Sequence, residues 1–257
     1  MLVVISPAKK LDFESSPHAS LVYTRPAMLP AAEELIDVAR DLSHKQMAKL
    51  MNISDKLVTL NQQRYRDFST PFNKKNAKQA VLSFIGDTYL GLDASSFSEK
   101  DHAQAQRHLR ILSGLYGLLR PLDLIQAYRL EMSIKLKNPK GKNLYDFWGK
   151  QITDGLNKAI TKSGSNFLLN CASIDYFKVV DANLIKAEII TPVFKQVKNG
   201  QARMIGMMAK RGRGAMARFV IQNNIHSPED LKDFSAEGYR FQSTASDPRI
   251  FEFHRQA

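Results

Sequence analysis

The chain has 257 residues, 44% of them apolar and 24% charged, ample for a hydrophobic core without a disulfide or metal staple. Its single cysteine, Cys171, excludes a disulfide framework, a four-thiolate zinc site and an iron–sulfur cluster. Lys plus Arg number 37 against 25 Asp plus Glu, and the net charge of +12 attracts polyanions such as nucleic acid, acidic membrane or phosphorylated ligands.

Residues 2–5 predict a buried strand ended by Ser6-Pro7. After a polar loop, Pro30 stands where a first helical turn tolerates proline, and Leu35, Val38, Ala39 and Leu42 keep helical spacing. Met47, Leu50, Met51, Leu57, Val58 and Leu60 extend helix to about Phe68. Residues 80–85 read as a strand. Residues 98–112 read as a helix, with Ser98 and Asp101 forming a capping-box start, and a second short helix is expected to about Ile125. Residues 143–162 predict an amphipathic helix stopped at Gly164. Residues 166–170, 187–194 and 203–208 read as strands, with Asn199-Gly200 a hairpin turn between the last two. Residues 215–225 read as a helix, and residues 239–241 and 250–253 as a terminal hairpin. Strands and helices interleave with no linker or repeat. The expected fold is therefore a single α/β domain over residues 1–257, a mixed sheet with flanking helices.

The sharpest local pattern is Ser113-Gly114-Leu115-Tyr116-Gly117, two glycines around an apolar pair between amphipathic segments. It reads as the turn of a helix-hairpin-helix at about residues 101–126. In that motif glycines let backbone N–H groups approach a phosphate at a helix N-terminus. The other reading is an ordinary helix–helix corner. Arg107, Arg110 and Arg120 surround the turn. Two further basic clusters, Lys135, Lys137, Lys140 and Lys142, and Lys210, Arg211, Arg213 and Arg218, would add phosphate contacts if they shared a face with it. The expected partner is DNA, held by its phosphates with little sequence preference. No segment approaches the roughly 18 apolar residues of a membrane span, so no membrane partner is expected. Residues 1–5 are too short for a signal peptide, and Lys9 and Lys10 follow them rather than precede, so the expected compartment is the reducing cytoplasm.

Enzyme signals are thinner. Ser6-Pro7-Ala8-Lys9 matches a Ser-x-x-Lys pattern, but Ser6 ends a strand instead of opening a buried helix. Glu99 and His102 have the spacing of one half of a di-iron motif, which needs two copies. No phosphate loop or Gly-x-Gly-x-x-Gly is present, and no cofactor, metal or catalytic residue is assigned. Lys9 after the first expected strand, Asn170 and Ser173 at the end of the expected strand 166–170 with Tyr176 nearby, and the polar pair Arg129 and Glu131 form a candidate pocket. That pocket supports the alternative reading, an enzyme acting on an anionic small molecule around Lys9, Arg129 and Asn170.

Several runs together resemble the YaaA family of bacterial peroxide-stress proteins. They are Ile5-Ser6-Pro7-Ala8-Lys9-Lys10-Leu11-Asp12, Ile53-Ser54-Asp55-Lys56-Leu57, Phe97-Ser98, residues 106–123 (QRHLRILSGLYGLLRPLD) and Tyr128-Arg129-Leu130-Glu131-Met132. Leu144-Tyr145-Asp146-Phe147-Trp148, Asn170 with Ala172-Ser173, Tyr176-Phe177 and Gly238-Tyr239 complete the set, while Cys171 stands where a leucine is expected. The resemblance implies a cytoplasmic α/β protein with a helix-hairpin-helix and a positive cleft, made under hydrogen peroxide stress. It implies DNA binding, with the hairpin at Ser113, Gly114, Leu115, Tyr116 and Gly117. It also implies lowered unincorporated iron, which limits Fenton damage to DNA and protein. It brings no reaction and no metal site.

Overall fold

A computed structural model describes residues 1–15, 21–243 and 245–257. Its strands are β1 (Leu2–Ile5), β2 (Lys10–Leu11), β3 (Lys78–Gln79), β4 (Phe84–Ile85), β5 (Leu109–Ser113) and β6 (Gly117–Leu119), then β7 (Leu124–Ile125), β8 (Phe167–Cys171), β9 (Glu188–Lys198), β10 (Gln201–Arg203), β11 (Arg240–Gln242) and β12 (Ile250–Gln256). The helices are α1 (Leu29–Arg40), α2 (His44–Met51), α3 (Asp55–Asp67), α4 (Ala80–Ser83) and α5 (Asp87–Leu92), then α6 (Glu99–His108), α7 (Leu144–Trp148), α8 (Gln151–Ser163), α9 (Ile174–Phe177) and α10 (Gly206–Gln222).

β1 carries no polar side chain because it lies at the centre of the main sheet with helices packed around it, and all four of its residues are fully buried. The sheet runs in the order β11-β12-β9-β8-β1-β5-β6, with β10 paired to β9. β5, β1, β8, β9 and β12 are mutually parallel, while β6, β10 and β11 run antiparallel to their neighbours. This is the mixed α/β sheet with flanking helices that the alternation of segments predicts. From β1 the chain goes first to β5 on one side, then returns to place β8 on the other. The strand order thus reverses between β1 and β8. In open α/β sheets the carboxyl ends of the strands leave a crevice at such a point.

Residues 101–126 do not form a helix-hairpin-helix. α6 starts as expected, with Ser98 Oγ accepting from the Asp101 N–H and Asp101 accepting from the Ser98 N–H. It ends at His108, and the chain continues as β5, a tight turn and the antiparallel β6. The reason is the distribution of apolar groups. Leu109, Ile111, Leu112, Leu115, Leu118 and Leu119 would ring a helix with apolar side chains, whereas a sheet covered on both faces buries all of them.

Other segments differ from expectation for similar reasons. Residues 80–85 form α4 and the two-residue β4 instead of one strand. The helix expected over 143–162 breaks at Gly149, where φ is +44°, into α7 and α8. The strand expected over 203–208 stops at Arg203, and α10 begins at Gly206, nine residues before the predicted start at Ala215. Gly212 and Gly214, interleaved with the basic run Lys210–Arg213, are interior to that helix. A Cβ on Gly214 would overlap the Thr88 carbonyl, and one on Gly212 would come within 2.8 Å of the Phe194 ring. Their missing side chains let α10 lie against α5 and β9. The Asn199-Gly200 turn joins β9 to β10 as predicted, with both residues at positive φ, and β11 pairs with β12.

Candidate anion-binding cleft

The loops after β1 and β8 are tied together. Ser6 Oγ accepts a hydrogen bond from the Ser173 N–H at 2.8 Å, and the two hydroxyls are 3.3 Å apart. Tyr89 on α5 donates to the Ser6 carbonyl. Between these loops, α5 and α10 lies a cavity of about 500 Å³. Lys9, Glu131, Ser173 and Tyr176 line it, as do Ser6, Asp87, Thr88 and Asp175. Lys9 Nζ is 3.3 Å from Glu131 Oε1, and Arg129 Nε reaches the same oxygen at 3.3 Å. Glu131 Oε2 is buried and accepts no hydrogen bond among the described residues. Burial holds the Tyr176 hydroxyl well above the ordinary tyrosine range. It likewise pushes the Cys171 thiol, also against the cavity, up to about 12.

Of the pocket residues expected from sequence, Lys9, Glu131, Ser173 and Tyr176 therefore meet, with Arg129 behind Glu131 in a small adjoining recess. Asn170 does not line the cavity. It is buried, and its Oδ1 accepts from the Ala172 N–H, shaping the turn that leaves β8. Asp87 and Thr88 belong to no motif, and Ser6 appeared only in the Ser-x-x-Lys pattern and the family run, not as a pocket residue. The signal that would have found them is position, since Ser6 follows β1 and the other two follow β4.

The turn between β5 and β6 lies inside the protein. Ser113, Leu115 and Tyr116 are fully buried. The Gly114 carbonyl accepts from Trp148 Nε1 at 3.0 Å, and a Cβ on Gly114 would overlap the Leu130 carbonyl. The Tyr116 N–H is taken by Ser113 Oγ. Arg110 is buried at the amino end of β5, donates to the Gln106 and Leu109 carbonyls, and is pulled down to about 10 by its burial. Arg120 pairs with Asp123 at 2.9 Å, and Arg107 is exposed at the end of α6. These three arginines stand at the end of β5 opposite the cavity.

The other basic clusters divide. On α10, Arg211 pairs with Glu237 at 3.0 Å and Arg218 with Asp93 at 3.3 Å, whereas Lys210 and Arg213, three apart, line the cavity. Neither of the latter joins a salt bridge among the described residues. In the other cluster, Lys140 pairs with Glu34 and lies over the Phe147 ring, and Lys142 is exposed. Lys135 and Lys137 are exposed without a salt bridge among the described residues, and with Lys49, Leu42 and Leu50 they line a groove of about 600 Å³. Ser133 lines both this groove and the cavity, so the two adjoin.

Two helices joined by a three-residue turn do occur, at α2 and α3. Ser43 and Gln46 form a capping box, Asn52 turns the chain at φ +50°, and Ser54 precedes α3. The Ser43–Gln46 spacing signals the start of α2, and the left-handed preference of asparagine at Asn52 was the signal available for this corner. Lys49 and Lys56 are exposed beside it.

The molecule is thus a single-domain mixed α/β protein with a cationic cleft at the reversal point of its sheet. The family model described as peroxide stress protein YaaA matches residues 1–245. The chain belongs to that family, as its motifs indicate. A UPF0246 protein of Burkholderia mallei (strain SAVP1) is 52% identical over 259 residues, covering 100% of this chain and 99% of its own. One from Alteromonas mediterranea is 54% identical over 246 residues, covering 96% and 95%. Among the described residues no helix is long and apolar enough to cross a membrane, and no group of three or more His, Cys, Asp and Glu is placed to hold a metal.

Proposed function

We propose that this peroxide-stress protein binds DNA through its phosphate backbone, largely without sequence preference, along the cationic groove and the adjoining cleft. The observation that carries the reading is the set of cations without salt-bridge partners among the described residues: Lys49, Lys135 and Lys137 on the groove, Lys210 and Arg213 on the cleft. Charges left unneutralised by the protein are available to phosphates, and their number sets the salt dependence of binding. The α2–α3 turn, flanked by Lys49 and Lys56, replaces the buried β5–β6 turn as the helix pair able to meet a backbone. To this the family resemblance adds a lowering of unincorporated iron, which limits Fenton damage in the cytoplasm.

The test is fluorescence anisotropy of a labelled random-sequence duplex across a salt series of about 50 to 300 mM, where phosphate-driven binding changes most. A Lys135→Ala, Lys137→Ala double variant should bind more weakly on every sequence, its log–log salt slope reduced by about one per lost phosphate contact. Binding that ignores salt, or a double variant equal to the parent, would overturn the reading.

A further inference from the structure

We propose that the cavity between the carboxyl ends of β1 and β8 is a binding site for a sugar-bearing phosphate monoester, whose phosphoryl group is received by Arg213 and Lys210. The site shares Lys210 and Arg213 with the proposed duplex surface, but monoester binding does not require duplex binding.

The first support is the state of Arg213. It is half-buried, burial depresses its pKa, and it has no salt-bridge partner among the described residues. Arg211 and Arg218 on the same helix are both paired with carboxylates. A charge withdrawn from water is normally compensated by a partner, and here the space beside it is an open cavity. The second support is how the helix delivers it. Gly214 lets α10 approach the Thr88 carbonyl, and Arg213, the residue before it, lines the same cavity as Gly86, Asp87 and Thr88. A planar guanidinium there presents the fork that suits phosphate oxygens.

Charge sets the class of anion. Lys9, Lys10, Lys210 and Arg213, with Arg129 in the adjoining recess, face the carboxylates of Glu131, Asp87 and Asp175, an excess of two positive charges. A phosphate monoester carries about −1.5 to −2 at pH 7, whereas a diester linkage carries one charge. The volume of about 500 Å³ falls within the range of small-ligand pockets. Its remaining lining mixes hydroxyls of Thr88 and Ser133 with apolar Pro7 and Ile85, which suits a sugar attached to the phosphate. Two sources offer this chemistry, a free sugar or nucleoside monophosphate and the 5′-phosphate at a DNA end.

The experiment is isothermal titration calorimetry on the full chain. The probes are ribose 5-phosphate, adenosine 5′-monophosphate and, as diester, adenosine 3′,5′-cyclic monophosphate. Oligonucleotides with and without a 5′-phosphate form a further arm. At least one monoester probe, small or terminal, should bind below about 1 mM, and its diester or unphosphorylated counterpart should be at least about tenfold weaker. Arg213→Met should weaken the monoester about tenfold or more, with Arg213→Lys retaining part of the affinity. Lys210→Met, at an exposed position, carries the same test if Arg213→Met fails to fold. Preference for the phosphorylated oligonucleotide assigns the site to DNA ends, and preference for the small probes assigns it to a free metabolite. No binding by any monoester at about 10 mM, equal binding of the diester, or affinity unmoved in both α10 variants would overturn the proposal. The Lys135→Ala, Lys137→Ala variant separates the two readings, since it should lose duplex affinity and keep that for the monoester.

Discussion

Gly117→Ala tests whether the β5–β6 turn serves packing or phosphate contact. Gly117 has φ +67°, and an ideal Cβ there would lie 2.7 Å from both Met28 Sδ and Trp148 Cζ3. The left-handed conformation costs a non-glycine residue about 1–2 kcal/mol. Forcing a methyl into a packed core costs about 1–3 kcal/mol more. The sum is about 2–5 kcal/mol, a large part of the roughly 5–15 kcal/mol that keeps a typical domain folded. At about 2–4 °C per kcal/mol for a chain near this size, the unfolding temperature should fall by about 4–20 °C. Thermal unfolding followed by circular dichroism measures this directly. Duplex anisotropy, taken at a temperature where both proteins are folded, should give equal affinities. An unshifted unfolding temperature combined with lost DNA binding would refute the buried turn and restore the phosphate-contacting hairpin.

Three further outcomes follow from buried or shifted groups. Trp148→Phe leaves the Gly114 carbonyl buried without its 3.0 Å donor and should cost about 1–3 kcal/mol from that group alone, measured by urea unfolding. The Cys171 thiol, buried and raised to about 12, should resist iodoacetamide at pH 8 in the native protein and react on unfolding; rapid native alkylation would contradict the burial. The Ser15 hydroxyl and N–H, with the Glu14 N–H and Lys78, hold the Asp12 carboxyl well below the usual carboxylate range. Its contribution is therefore fully present above the unfolded value of about 3.9 and is lost as pH falls through the lower folded value. Asp12→Asn should lower stability at pH 7 and converge on the parent in strong acid; an equal deficit at pH 7 and in strong acid would contradict this sign.

Much of the frame was legible where a residue's local neighbours decide its conformation. The apolar run at 2–5 stopped by Ser6-Pro7, the Ser98–Asp101 cap and the Asn199-Gly200 turn all depend on contacts a few residues away. The segment after His108 was not, because a short apolar run fits a buried helix or a buried strand equally well. Its glycines look alike from sequence whether they face a phosphate or, as here, the Leu130 carbonyl and the Trp148 ring. α10 was misplaced because the low helix propensity of Gly212 and Gly214 is overridden by contacts with Phe194 and Thr88, distant in sequence. In the cleft, Lys9, Glu131, Ser173 and Tyr176 could be gathered as polar residues beyond strands. The division of the α10 cations between paired and unpaired faces needed the positions of Glu237 and Asp93.

The close seating of α10 on α5 also governs how the cleft wall responds to a guest. Gly91 faces the Arg211 carbonyl and Gly214 the Thr88 carbonyl, so the two helices meet backbone to backbone. Such a seam has no rotamers to rearrange, and it fixes the Cα of Arg213 relative to α5. The ordering entropy of capturing an anion then falls mainly on the Arg213 and Lys210 side chains, at about 0.5–1.5 kcal/mol for each one immobilised. The wall is preorganised, so selectivity for the proposed anion would reside in charge geometry rather than in induced closure.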